Sequence, residues 1–306
     1  MVTVPPLKRI TLACVGHLSL DHVFEIERFP NTPTKTAARG YLAQGGGMAA
    51  NAAVAAARLG AQVRFFGALG QDGIEALLRE HLAGEGVELG ALQSVPRAVN
   101  SVSAVVVDAA GERQIFNHRG DALKRAAPLE VSQLDGVDAV LVDPRWVAGA
   151  EAALRWARAR NLMSMLDADI APRDDLLRLV PLAQWAVFSA SGLALYAPGS
   201  APREALQAAI DAGCEAAAVT RGERGVAWLH GGRWQEREAY RVDARDTTGA
   251  GDVFHSALAL ALAEAQPEAD AVAFASAAAA LKCRVGKGIQ GAPRREAVLA
   301  FQAEFG

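Results

Sequence analysis

The heptapeptide Asp246-Thr247-Thr248-Gly249-Ala250-Gly251-Asp252 sets a carboxylate where an apolar helical run, VFHSALALALAEA from Val253, begins. The first N–H groups of a helix have no internal acceptors. Together with the positive end of the helix dipole they suit a phosphate or a developing oxyanion. Gly249 and Gly251 let the backbone turn and come close to a ligand, so Gly249, Ala250 and Gly251 read as an anion-holding mouth. Asp252 in that positive field is expected to be ionised and able to take a proton from an attacking hydroxyl. Taken alone, the heptapeptide is equally an ordinary helix cap. A second cluster, Gly45-Gly46-Gly47-Met48-Ala49-Ala50-Asn51, leads into the alanine-rich run AAVAAARLG. It gives close backbone approach plus one amide, Asn51, that both donates and accepts.

These groups need a scaffold, and the chain of 306 residues is long enough for one large α/β domain. No linker, like-charge run or internal repeat divides it. Short apolar runs at 10–15, 62–68, 139–142, 163–167, 185–188 and 216–220 read as buried strands. Helical patterns at 49–59, 74–85, 148–159, 173–179 and 202–212 alternate with them. Such alternation predicts a mostly parallel sheet with helices on both faces, and ligands outside the carboxyl ends of its strands. The segments 23–44 and 101–117 break the rhythm: they are β-rich and polar, with a turn at 108–112 in the second, and suit a small separate sheet. From pattern alone that sheet is either a lid over the ligand site or an edge hairpin.

Composition removes several classes of function. A net charge of -3 provides no footprint for nucleic acid or an anionic membrane. Cys14, Cys214 and Cys283 are isolated, which speaks against a disulfide framework or a cysteine-rich zinc site and fits a cytoplasmic protein. Lys8-Arg9 precedes ITLACVGHLSL, but no cleavage pattern follows, so a buried first strand is the reading there. No segment has the length of a membrane span. The string Gly286-Lys287-Gly288-Ile289-Gln290-Gly291 matches GxGxxG but follows a helical alanine run, where a dinucleotide site needs a strand. The six histidines form no HExxH, and no Walker A sequence occurs.

Together the two clusters, GGGMAANAAVAAARLGA followed by FFGALGQDG and DTTGAGDVFHSALA, resemble the two signature regions of the ribokinase-like (PfkB) carbohydrate kinases. The resemblance runs over the whole chain, through VTRGERG and the terminal AAAALKCRVGKGIQGAP. It implies a single ribokinase-like domain over 1–306, a three-layer α/β/α fold with a mostly parallel central sheet and a small β-sheet lid built from about 22–44 and 100–118. It implies ATP and Mg2+ as cofactors, transfer of the γ-phosphoryl group to a sugar hydroxyl, and a homodimer paired through the lids. By the same resemblance Asp252 is the catalytic base, and Gly249, Ala250 and Gly251 form the anion hole. Asp21, Gly46, Gly47 and Asn51 line the sugar pocket. Thr220, Gly222 and Gly225 run along the nucleotide with Gly249 and Gly251. Asp246 and Thr248 match positions associated with a monovalent cation such as potassium. The chain departs from the family where many members carry Asn-x-x-Glu for the magnesium shell: it has Phe188-Ser189-Ala190-Ser191-Gly192.

The segments PTKTAARGY, GERQIFNHRGD, VDPRW and LDADIAP look most like the sulfofructose kinase branch, whose substrate is a fructose with a sulfonate at carbon six. The resemblance implies that Lys35, Asn117 and Arg145 grip that anion, and that phosphate goes to the oxygen on carbon one. Charge-assisted donors and an arginine fork suit a tetrahedral oxyanion. Fructose 6-phosphate satisfies the same donors, and neutral ketohexose, ribose and nucleosides are the family's other acceptors. A silent sugar-binding regulator on the same fold is the alternative that is not an enzyme.

Overall fold

The computed structural model describes residues 9–110 and 112–305; Lys8, and Gly111 within the turn expected at 108–112, lie outside them. In chain order the strands are β1 (Thr11–Val15), β2 (Ser19–Glu25), β3 (Gly40–Gly46), β4 (Gln62–Phe66), β5 (Ala68–Gly70), β6 (Gln93–Val95) and β7 (Ser101–Val107). They continue as β8 (Arg113–His118), β9 (Ala139–Val142), β10 (Met163–Ala168), β11 (Trp185–Ser189), β12 (Ala216–Thr220), β13 (Val226–His230) and β14 (Arg233–Arg237). The helices are α1 (Met48–Arg58), α2 (Glu75–Gly84), α3 (Ala122–Arg125), α4 (Val147–Arg158) and α5 (Arg173–Leu179). After them come α6 (Ala190–Tyr196), α7 (Pro202–Ala212), α8 (Ala250–Ala263), α9 (Glu268–Val285) and α10 (Arg295–Phe305).

The main sheet has the order β14-β13-β12-β11-β10-β9-β1-β4. It is parallel from β4 to β12, and β13 and β14 add an antiparallel edge. Both faces are covered, so successive side chains of one strand enter opposite cores: Met165 packs with α1, α8 and α9, and Leu166 with α4, α5 and α7. The helix α8 is buried on nearly every side from Val253 to Ala261, lying between the sheet and its neighbours α1 and α9.

Two expected boundaries move. The strand expected at 62–68 divides at Gly67, where a Cβ would stand 2.7 Å from the Gly16 carbonyl, and β5 turns off to pair with β6. The helix expected from Val253 starts at Ala250, so Asp252 sits inside its first turn. The hairpin of β13 and β14 was absent from the expected strands. It turns at Gly231-Gly232, both at positive φ (55° and 75°), the backbone that a two-residue hairpin loop requires.

The two segments that broke the alternation form a four-stranded sheet of order β3-β2-β7-β8, with only β2 and β7 parallel. Its outer strands expose Tyr41 (57 %), Leu42 (42 %), Ile115 (49 %) and Phe116 (59 %). Among the described residues no helix is long and apolar enough to cross a membrane. Gly286 ends α9 at φ 76°, and Gly288–Gly291 is a single 3-10 turn, so the GxGxxG string has no strand before it.

Candidate active site

Both glycine clusters lie at helix N-termini, and one hydrogen bond joins them. Gly47 precedes α1 at φ 100°, where a Cβ would stand 2.5 Å from the His17 carbonyl. Gly249 precedes α8 in the left-handed region at φ 77°. In the first turn of α8 the Ala250 N–H is already given to the Thr247 carbonyl (3.2 Å) and the Val253 N–H to Gly249 (3.0 Å), while the intervening N–H groups are not so engaged. Asn51 Nδ2 on α1 donates to Asp252 Oδ2 on α8 at 2.7 Å. The two motifs, 201 residues apart, therefore share one site.

The expectation that the helix field keeps Asp252 ionised is overturned. Burial, with Asp167 next, pushes the Asp252 carboxyl up to about 8, against the Asn51 hydrogen bond and His255. One turn on, His255 Nδ1 lies 3.0 Å from Asp167 Oδ2, and both side chains are buried. Burial alone would lower the imidazole, but Asp167, Asp252 and Asp169 raise it above the usual histidine value. A carboxyl balanced near neutrality is a stronger proton acceptor than an ordinary aspartate. At the place of the missing Asn-x-x-Glu, Ser189 caps α6 by accepting the Gly192 N–H (2.9 Å) and donates to Asp169 Oδ1 (2.6 Å).

Of the residues expected at the sugar, Asp21 projects from β2 against Gly46 of β3, where a Cβ would come 2.1 Å from Asp21 Oδ2. Only glycine fits beside that carboxylate. Burial raises the Asp21 carboxyl, opposed by hydrogen bonds from Ser103 and from Ser19 Oγ (3.1 Å). Asn117 on β8 donates to Ser103 Oγ (3.1 Å), which places it one residue from Asp21. Arg145 is fixed through its backbone: Asp143 Oδ1 accepts its N–H (2.8 Å), while Oδ2 accepts those of His17 (2.7 Å) and Ala49 (3.0 Å). Burial pushes the His17 imidazole down to about 3, and the positive charges of Arg145 and Arg119 push the same way. Lys35, the third member of the expected anion-binding trio, is exposed on the segment between β2 and β3.

Of the residues expected along the nucleotide, Thr220 closes β12 opposite Ser189 of β11, and its hydroxyl donates to the Phe188 carbonyl (3.3 Å). Gly222 and Gly225 take φ 60° and 78° in the following turn, and a Cβ on Gly225 would strike the Arg237 carbonyl at 2.0 Å. Asp246 and Thr248 do not fit a monovalent cation. Asp246 Oδ1 accepts the Thr248 N–H (2.8 Å), and Oδ2 accepts the Gly288 N–H (2.7 Å) and faces Lys282 Nζ at 3.3 Å. Arg113 of β8 donates from Nη1 to the hydroxyls of Thr247 (2.9 Å) and Thr248 (3.0 Å).

The positions that residue-by-residue reading passed over are Arg113, Arg119, Asp143, His255 and Lys282. Only one carried a usable signal: Lys282 interrupts an apolar helical run at a position that pattern assigns to the core. The others act through partners far away in sequence.

The family profile of the pfkB family carbohydrate kinases matches residues 9–295. A ribokinase of Haemophilus influenzae is 29% identical over 258 residues, covering 81% of this chain and 83% of its own. An ATP-dependent ribose-1-phosphate kinase of Halopiger xanaduensis is 27% identical over 306 residues, covering 96% and 99%. The crystal structure of a ribokinase candidate from Agrobacterium tumefaciens superposes with a TM-score of 0.91 at 32% identity, covering 97% of this chain and 99% of that one. With an acid at a helix mouth tied to the helix that follows the first glycine cluster, and a family profile over nearly the whole chain, the chain belongs to the pfkB family of carbohydrate kinases.

Proposed function

We propose that this kinase transfers the γ-phosphoryl group of ATP to a hydroxyl of an anionic sugar. The observation that supports the reading is the Asn51–Asp252 hydrogen bond, which joins the helix after the first glycine cluster to the mouth of α8. Asp252 takes the proton of the attacking hydroxyl; its oxygen bonds to the γ-phosphorus as the bridge to the β-phosphate breaks, and ADP leaves. The N–H groups at the start of α8 steady the charge that develops on the transferred group. Gly249, Ala250 and Gly251 supply that surface, and Thr220, Gly222 and Gly225 support the nucleotide.

Magnesium, when bound with ATP, neutralises the phosphate charge. Asp167 and Asp169, whose charges act on the base, stand beside His255 and Ser189, and they would be the residues to help the nucleotide and water hold the ion.

Asp21, Gly46, Gly47 and Asn51 hold the sugar, with Asn117 one residue behind Asp21. The positive charges of Arg145 and Arg119, which act with burial on His17, support a sugar with a fixed anion. Sulfofructose phosphorylated on the oxygen of carbon one is the first choice, and Lys35 completes the grip if its segment folds inward. A phosphosugar is the second reading, supported by the ribose-1-phosphate kinase that aligns along nearly the whole chain. The exposed apolar residues of the outer lid strands suit pairing with a second copy of the lid.

The test is the specificity constant with sulfofructose, fructose 6-phosphate, ribose 1-phosphate, fructose and ribose. An anionic sugar is expected to lead the neutral ones by about a hundredfold, the worth of a charge-assisted contact or two. A preference for ribose contradicts the anionic reading.

A further inference from the structure

Lys282 is fully buried near the end of α9, with 0% of its side chain exposed. Its ammonium donates to the carbonyl of Asp246 at 2.8 Å and lies 3.3 Å from Asp246 Oδ2. A carbonyl and a carboxylate oxygen are the ligands a small cation takes, here offered to a side chain. The same corner is stitched by the N–H groups of Arg245 (2.9 Å) and Asp246 (3.4 Å) to the Cys283 carbonyl, and by the Gly288 N–H to Asp246 Oδ2 (2.7 Å). The ammonium thus joins the end of α9, the turn after it and the loop that opens α8.

Nothing in that corner leaves room in charge for another cation. Arg113 Nη1 stands 3.8 Å from Asp246 Oδ1 and takes the hydroxyls of Thr247 and Thr248. A bare ion beside Asp246 would face two organic cations for a single carboxylate. Removing an ammonium from water is costly unless its partners are fixed, and here they are fixed by backbone hydrogen bonds. Burial lowers the lysine from its usual value and Arg113 adds to that, while Asp246 restores the charge. The carboxyl of Asp246, which burial alone would raise, is held below the usual range by the Thr248 N–H and Lys282.

We infer that Lys282 is a built-in cation: its ammonium does for the loop Asp246–Gly249 what a bound potassium ion would do, and the enzyme works without added monovalent cation. The inference leans on the proposed kinase activity for its turnover readouts only. In wild type, turnover with magnesium and ATP is expected to be the same in tetramethylammonium, sodium and potassium salts; activation by potassium of about tenfold, a typical coupling between sites, overturns it. The Lys282→Met variant keeps the volume and removes the charge, and it is expected to melt lower and turn over more slowly. The Lys282→Ala variant opens a cavity beside Asp246. Ammonium or methylammonium chloride is expected to raise its melting temperature without any substrate, as a ligand of the native state does, while tetramethylammonium chloride leaves it unchanged. Equal melting of Lys282→Ala in all these salts overturns the inference. The melting series needs no sugar, so recovery by ammonium in a protein that phosphorylates none of the panel would keep the inference and dismiss the anionic-sugar reading.

Discussion

Asp252 owes its chemistry to what surrounds it. A carboxylate at the third position of a helix ordinarily sits low, stabilised by the dipole. Here burial and the negative charge of Asp167 outweigh that field and carry the group to about 8. The sign of the pH dependence follows: the base form is lost as pH falls through that value. The acid limb of kcat/KM is expected well above the ordinary carboxylate range, and a pH–rate profile with its limb near 4, the normal aspartate region, contradicts the assignment. His255 is the positive neighbour, with Asp167, Asp169 and Asn51 the other groups facing the base. Substituting His255→Leu should move the limb to higher pH, which a merely structural histidine would not do. The raised carboxyl was not legible from DTTGAGD, because Asp167 meets Asp252 and His255 only once β10 packs on α8. What the motif did carry, a carboxylate at a helix mouth beside glycine, is seen in the structure as Gly249 at positive φ and Asp252 in the first turn.

At the scale of elements, Asp143 binds three of them together. Its two oxygens take backbone N–H groups from the loop after β1, the start of α1 and the loop after β9. Replacing it by alanine strands three donors, two of them at the sugar pocket, and should cost about 2 to 4 kcal/mol of unfolding free energy by denaturant titration. Burial raises this carboxyl to about 6, so its folded value exceeds the unfolded one. Its contribution to stability is therefore present at low pH and lost as pH rises through about 6. The difference in stability between wild type and Asp143→Leu should shrink over that interval.

The lid carries a comparable tie. Arg113 reaches from β8 to Thr247 and Thr248, so Arg113→Ala should loosen the lid over the phosphate side, with increased hydrogen exchange in β7 and β8 as the readout. The strands of the main sheet could be read directly as apolar runs, since a strand buried on both faces has no polar alternation to obscure it. The edge hairpin of β13 and β14 was harder: Val226–His230 is apolar, but Arg233–Arg237 is polar and exposed, and it becomes a strand only by pairing.

For the whole molecule, a small β sheet stands on a large three-layer body and leaves Tyr41, Leu42, Ile115 and Phe116 facing out. Such side chains on edge strands invite a second sheet. The protein is expected to sediment as a dimer, and Phe116→Asp to shift it toward monomer; a wild type that stays monomeric at micromolar concentration removes the paired-lid reading. The account as a whole rests on one acid serving two ligand sites, and Asp252→Asn tests that most directly. Steady-state turnover measured beside calorimetric binding of ATP and sugar should show kcat lower by roughly a hundred- to ten-thousandfold, the worth of a positioned base, with both ligands still bound. Turnover equal to wild type would contradict it.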